Sequence, residues 1–330
     1  MSAPDLAGFN KQYLVDVLSP GDIPPITRPA FGSLGSAADW LGLDAPVVVV
    51  RDGASARAYP LAILLQHEVV DDVVGGVPVA VTYSPLANAA IVFDRRVRSL
   101  TLTFAASGKV YLSDQVMYDR ETKSLWPQMI GAASAGELKG SVLTVVPSQL
   151  SSFGDFVRAY PSGHVLVRPG SATYSSTPYP AYDSRSKPYE GFFGGRLDTR
   201  LPAMARVVGV GARAYPYASL AGLGNPAVVG DGDFVVFWGG SARSPLSAPT
   251  IAEGRVVGAS GVFRPRARGR TLHFAVVGGA IQDRETGSTW SLDGVALGGP
   301  LKGSELPGVP HLDAFWFAWA AFQQGTSIWS

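Results

Sequence analysis

The sequence predicts a mainly β protein, a β-rich α+β fold whose chain is internally duplicated into two pseudo-symmetric β-rich halves with a few short helices. Three observations carry this. The octapeptide Asp119-Arg120-Glu121-Thr122-Lys123-Ser124-Leu125-Trp126 returns almost intact as Asp283-Arg284-Glu285-Thr286-Gly287-Ser288-Thr289-Trp290. The 39 glycines and 25 prolines cut the chain into many short β-rich runs. Only a few stretches carry the apolar spacing of a helix.

Two further matches keep the same order. Ala56-Arg57-Ala58-Tyr59-Pro60 recurs as Ala212-Arg213-Ala214-Tyr215-Pro216, and Gly136-Glu137-Leu138-Lys139-Gly140-Ser141 recurs as Gly299-Pro300-Leu301-Lys302-Gly303-Ser304. The chain is accordingly divided into a first β-rich repeat over 1–165, a Tyr/Pro/Ser-rich crossover over 166–200, and a second β-rich repeat over 201–330 that closes on an aromatic helix.

In chain order, strands are expected over Pro46 to Val50, Val77 to Tyr83, Ala89 to Phe93, Leu100 to Phe104 and Val110 to Met117. Gly75-Gly76, between Val69–Val74 and Val77–Tyr83, signals a tight hairpin. The second half answers with Ala227 to Val229, Phe234 to Trp238, Thr271 to Val277 and Ala280 to Gln282. Pro60 is placed at the first helical position before Leu61, Ile63, Leu64 and Leu65. Ser151 or Ser152 caps a helix carrying Phe153, Phe156, Val157 and Tyr160, and Asp313 caps one carrying Phe315, Trp316, Trp319 and Phe322. Both aromatic stripes are read as core packing. Ser171 to Arg200 holds Tyr174, Tyr179, Tyr182, Tyr189 and Phe192-Phe193, too many aromatics for a flexible linker. Either it packs across the protein and covers a pocket, or it is an ordered crossover without chemistry.

Composition narrows the function classes. At 330 residues, 46% apolar and 16% charged, the chain can bury a sizeable core. A net charge of +1 with no basic run speaks against nucleic acid and anionic membrane as partners. The absence of cysteine excludes disulfides, thiolate metal sites and cysteine nucleophiles. Met1-Ser2-Ala3-Pro4-Asp5 lacks the pattern of a secretory leader, and no apolar run has the length of a membrane span, so a cytoplasmic protein is expected. Its oligomeric state is not legible.

Structural parts of a duplication should persist in both copies, whereas a functional site usually survives in one. The Asp-Arg-Glu-Thr turn is read as structural, with its Asp and Thr capping the turn and Arg120 and Arg284 pairing with nearby carboxylates. The first copy alone carries Gln66-His67-Glu68-Val69-Val70-Asp71-Asp72 and the stretch from Thr82 to Asp94, and the equivalent Leu220 to Gly230 has neither histidine nor acid before Gly230. An imidazole titrating near neutrality beside carboxylates suits acid–base work, although a structural histidine is the commoner outcome.

From Ile23-Pro24-Pro25-Ile26 to Phe322 the chain resembles the bacterial and archaeal family called domain of unknown function three-one-seven-nine. The matching residues are Ala58-Tyr59-Pro60-Leu61, His67-Glu68, Gly75-Gly76-Val77-Pro78-Val79, Thr82-Tyr83, Pro85-Leu86, Ile91-Val92-Phe93-Asp94-Arg95, Met117-Tyr118-Asp119-Arg120 and Ser124-Leu125-Trp126. Typical members look like Thr-Tyr-Cys-Pro-Leu-Cys here and look exported. The resemblance implies a thiolate-plus-imidazole metal or redox site, yet this chain has Ser84 and Ala87 at the cysteine positions.

Dinucleotide, phosphate-loop and nucleophile-elbow motifs are absent, and His67, His164, His273 and His311 lie far apart in sequence. The expected function is a cofactor-independent enzyme of specialised metabolism acting on an apolar small molecule, of the cyclase, isomerase or lyase type. His67 is its expected acid/base, oriented by Glu68 or Asp71. Tyr59, Tyr83, Ser84, Asn88, Asp94, Tyr118 and Trp126 are expected to bind substrate, with no metal and no cofactor. The alternatives are a non-catalytic small-molecule binding protein, or a residual metal-binding protein using His67 with Glu68, Asp71 or Asp94.

Overall fold

A computed structural model describes residues 9–53, 55–170 and 173–330 of the chain. The leaderless Met1–Asp5 reading and the Ser171 start of the crossover lie outside these residues. The protein is mainly β. Its helices are Leu34–Ala38 (α1), Leu61–His67 (α2), Phe153–Ala159 (α3), Tyr217–Leu223 (α4) and Trp316–Phe322 (α5), none longer than seven residues. Among the described residues no helix is long and apolar enough to cross a membrane.

The Pro46–Asp52 strand shows how the core is divided. Val47, Val48, Val49 and Val50 are all buried, as a strand covered on both faces requires. Because side chains alternate, Val48 and Val50 join the main core with Leu61 and Leu64 of α2. Val47 and Val49 instead pack with Phe153 and Phe156 of α3. The Val69–Val74 and Val77–Ser84 strands are joined by Gly75 and Gly76 at φ 56° and 79°, the left-handed pair a tight hairpin turn needs.

Strand order positions the rest. An eight-stranded sheet contains the run Gln149–Ser152, Pro46–Asp52, Ser55–Pro60, His164–Leu166, the last pair parallel. A four-stranded sheet has the same order in Leu312–Phe315, Arg206–Val210, Arg213–Pro216, Ser327–Ile328, again ending in a parallel pair. The closing strand of each run reaches across the molecule. Leu150 pairs with Ser260 of the later Ala227–Asp231, Phe234–Gly239, Ala259–Phe263 meander. Phe315 in turn donates its N–H to Ala87 O, in the turn between Val77–Ser84 and Ala89–Asp94.

Matched bonding recurs at matched positions. Tyr59 Oη donates to Asp72 Oδ2 at 2.5 Å, with Arg57 on the same carboxylate. Tyr215 and Arg213 bind Asp231 in the same way. Asp119 accepts from Thr122 N and Oγ1, and from Trp126 Nε1 at 2.9 Å, while Asp283 accepts from Thr286 N and Oγ1, and from Trp290 Nε1 at 2.9 Å. Each of these buried carboxylates thus satisfies several donors at once.

Some local expectations change. The run from Val110 to Met117 is two strands, Phe104–Tyr111 and Asp114–Asp119, because Leu112 and Ser113 turn the chain at φ 52° and 65°. Pro60 is the N-cap of α2 and the last residue of a strand, not the first helical residue. Ser152 caps α3 by accepting from Asp155 N. Asp313 does not cap α5: cross-strand pairing with Val208 draws it into Leu312–Phe315, and Phe315 is the N-cap. Neither Arg120 nor Arg284 forms an ion pair among the described residues. The neighbouring acids act instead, Glu121 accepting from Thr103 N and Glu285 from His273 N, each at 2.8 Å.

Candidate functional site

Helix α2 ends at His67, and Glu68 closes it in the left-handed region at φ 55°, its N–H returning to Leu64 O. Glu68 O then accepts from Tyr83 N at 2.9 Å, which fixes the start of one strand against the end of the next. This reversal leaves the Glu68 side chain buried, with no hydrogen bond among the described residues. Burial pushes its carboxyl up to about 8, and the charge of Asp114 adds to the effect.

Asp114 arrives from the hairpin of Phe104–Tyr111 and Asp114–Asp119. Its turn residues Leu112 and Ser113 hold left-handed conformations that normally favour glycine or asparagine, a strain that surrounding contacts must hold in place. One such contact is Ser113 N–H on Phe192 O, at 2.9 Å, from the crossover. Asp114 is fully buried; Oδ2 accepts from Met129 N at 2.7 Å, and Oδ1 has no partner. Burial raises this carboxyl to about 8 as well, against the opposing bonds from Met129 N–H and Ser84. Ser84 Oγ also accepts from Gln115 N at 3.0 Å. Among the described residues, Ser113 Oγ and both amide atoms of Gln115 are buried without partners. Such a concentration of orphaned polar atoms is unusual in a native interior and marks a place where the protein tolerates cost.

The crossover covers this cluster. Tyr182 Oη donates to Leu86 O at 3.0 Å, and the Tyr182 ring lies 4.8 Å from that of Tyr189. Tyr179 is pushed above its ordinary range by burial first and by the charge of Glu68 second. Asp183 anchors the segment: its fully buried carboxylate meets Arg206 at 3.0 Å, Arg255 at 3.2 Å and Ser244 Oγ at 2.5 Å. Below, Tyr83 Oη donates to Asn88 Oδ1 at 3.2 Å, and Asn88 is itself left-handed at φ 53°.

The structure therefore brings Glu68, Tyr83, Ser84 and Asn88 together and sets the other expected residues elsewhere. His67 is half-buried and tied at both ring nitrogens: Nδ1 donates to Pro24 O at 2.7 Å, and Nε2 lies 3.0 Å from Tyr174 Oη. No hydrogen bond joins it to Glu68 or Asp71. Asp71 accepts from Phe104 N at 3.0 Å and faces Arg95 at 3.6 Å, with burial raising it to about 7. Tyr59 and Trp126 are fully buried in the bonds to Asp72 and Asp119. Asp94 pairs with Arg96, whose guanidinium holds it below the usual carboxylate range. Tyr118 lies under Lys123 Nζ, 5.5 Å from the ring centroid.

Asp114, Gln115 and Asp183 are the residues that sequence reasoning missed as site components, while Tyr179 was named only as an aromatic of the crossover. Leu112-Ser113-Asp114 falls inside the strand expected over Val110 to Met117, and no local signal says that the chain turns there or that a distant segment buries the turn.

The residues present do not fit the soft metal site that the Cys-Pro-Leu-Cys resemblance implies. Ser84 offers a hydroxyl that already accepts from Gln115 N, Ala87 offers no donor atom, and both His67 nitrogens are engaged. Among the described residues no three His, Asp or Glu side chains gather as ligands for an ion. In comparison with known proteins, a family model described as a protein of unknown function (DUF3179) matches residues 20–326. No curated protein and no solved structure matches the chain.

Proposed function

The chain belongs to this family of unknown function, and from that premise we propose that it is a cofactor-independent acid–base enzyme acting on a largely apolar small molecule. The observation that carries the reading is the buried pair Glu68 and Asp114, each raised to about 8. From neutral to mildly alkaline pH such a pair can hold a single proton between its two carboxyls, because once one ionises its charge opposes loss of the other's proton. One group can then donate a proton while its partner receives one, which is the chemistry of an isomerase, cyclase or lyase without a redox cofactor.

Glu68 is the proton donor in this reading, because among the described residues no hydrogen bond occupies its carboxyl. Asp114, fixed by Met129 N–H, is the base of the pair. Tyr83, Ser84 and Asn88 supply polar anchors for one carbonyl or hydroxyl of the substrate, and Tyr179, Tyr182 and Tyr189 supply an apolar cover. His67 acts as a positioning residue through Tyr174, holding the start of the crossover.

The test is incubation of the protein with small-molecule extracts in deuterated water, followed by mass spectrometry. A compound should rearrange or gain one deuterium with wild-type protein, and Glu68→Gln should lower that rate at least ~100-fold, the usual scale of a lost acid–base group. Conversion that survives both Glu68→Gln and Asp114→Asn would sink the carboxyl mechanism. The second reading, a binding protein without turnover, is favoured by the closure of the site beneath Tyr179 and Tyr182. It predicts a retained ligand, released unchanged on denaturation.

A further inference from the structure

Away from the carboxyl pair, where the strands Gln149–Ser152, Ala89–Asp94 and Leu312–Phe315 approach one another, a small cavity is lined by Gln149, His311 and Asp313 among apolar neighbours that include Val48 and Ala90. Each of the three polar side chains presents an acceptor without a donor. His311 Nδ1 donates to Val309 O at 2.9 Å, so the neutral ring carries its lone pair on Nε2, which has no hydrogen bond among the described residues. Gln149 is 2% exposed, and its Oε1 is buried without a partner. Asp313 accepts from Tyr217 Oη and Ser260 Oγ, both at 2.7 Å and both on Oδ1, which leaves Oδ2 without a donor.

Charge decides what belongs there. Asp313 is buried, and no ion pair neutralises it among the described residues. Burial raises its carboxyl against the pull of His311, of the Tyr217 and Ser260 hydroxyls and of Arg206, so a cation at Oδ2 would take the place that a proton otherwise holds. The cavity has room for one water-sized species, which excludes an organic cation. We propose that His311 Nε2, Asp313 Oδ2 and Gln149 Oε1 bind a single divalent transition-metal ion of the zinc class.

The donor set suits that class, since a neutral imidazole with oxygen ligands selects borderline divalent ions over calcium or magnesium. The surrounding bonds also have the form of an outer ligand shell. The Val309 carbonyl fixes the His311 tautomer, and Tyr217 and Ser260 orient the Asp313 carboxylate. Ser260 pairs across with Leu150, the neighbour of Gln149, so an ion here would clamp the strand junction that joins the early and late parts of the chain.

The experiment is zinc titration of metal-stripped full-length protein, read by calorimetry and native mass spectrometry. A cobalt substitution spectrum serves as a second readout. One ion should bind per chain, His311→Gln and Asp313→Asn should each weaken binding at least ~10-fold, and His273→Ala should leave it unchanged. His273 is the control because it forms an exposed pair with Glu285. Absence of zinc binding, meaning that the cavity holds water only, would overturn the proposal. So would binding that His311→Gln leaves intact, or binding lost in His273→Ala. Circular dichroism of each variant separates a lost ligand from a lost fold.

Discussion

The carboxyl of Asp114 helps to keep that of Glu68 protonated, although the two residues stand 46 positions apart, Glu68 at the end of a helix and Asp114 at the start of a strand. Glu68 closes a helix in a left-handed conformation, and Asp114 follows a turn with two more left-handed residues. Three strained positions thus deliver two acids into the buried interior. Strain of this kind persists only where the surrounding structure over-determines it, and here the crossover supplies part of that constraint through the Phe192–Ser113 bond.

Stability should fall as pH rises between about 4.5 and about 8. A carboxyl raised in the folded state remains protonated there while its unfolded counterpart ionises, so the unfolded state binds fewer protons and gains relative stability. Below that window the effect vanishes, and above it the loss is complete. Glu68→Gln should flatten this slope and add on the order of 1–3 kcal/mol at pH 8. Urea midpoints at pH 5, 6.5 and 8 check it, and parallel wild-type and variant curves would reject the raised carboxyl.

Removing the anchor of the crossover should be costly. Asp183→Ala leaves the buried Arg206 guanidinium without its carboxylate, which typically costs about 3–5 kcal/mol. Limited proteolysis should then cut between residues 173 and 200 well before the sheets. Thermal denaturation of the single variant, and of Asp183→Ala with Arg206→Met, tests whether the second change recovers stability.

Asp119→Ala and Asp283→Ala should destabilise by similar amounts. Each strands a buried Trp Nε1–H and a threonine N–H, at about 1–3 kcal/mol per unsatisfied group. Equal losses in chemical denaturation identify both octapeptides as structural. A much smaller loss for either aspartate would show that its turn is held by other means.

His67→Ala should loosen the start of the crossover while leaving the titration of Glu68 and Asp114 in place. Hydrogen exchange near Tyr174 and at the arm around Pro24 should rise, since both hydrogen bonds of the ring are lost. Carbon-detected titration of the two carboxyls reads the other half of the prediction. Midpoints that move by a full unit would place His67 in the acid–base cluster.

Periodicity and turn chemistry made the strand-rich class, Gly75-Gly76 and the α3 cap legible in the sequence. Long-range placement was not. Asp313 before an aromatic helix has the look of an N-cap, and only its pairing with Val208 converts it to a strand residue. His67 with Glu68 reads as a dyad because adjacency in sequence suggests adjacency in space. The left-handed turn at Glu68 separates them, sending the acid inward while the imidazole meets Pro24 and Tyr174. Asp114 was hidden within the strand expected over Val110 to Met117, and its turn is buried only because another segment, here the tyrosine-rich crossover, folds over it.

The reaching closing strands carry a consequence for how this chain can be divided. Because Leu150 completes a sheet with Ser260, and Phe315 reaches back to Ala87, either half expressed alone would expose an edge shaped for the other. Two co-expressed fragments cut within the crossover should find each other, like hands in a mutual grip. The same grip constrains change: a substitution that loosens either closing strand would be felt in the distant segment that the strand reaches.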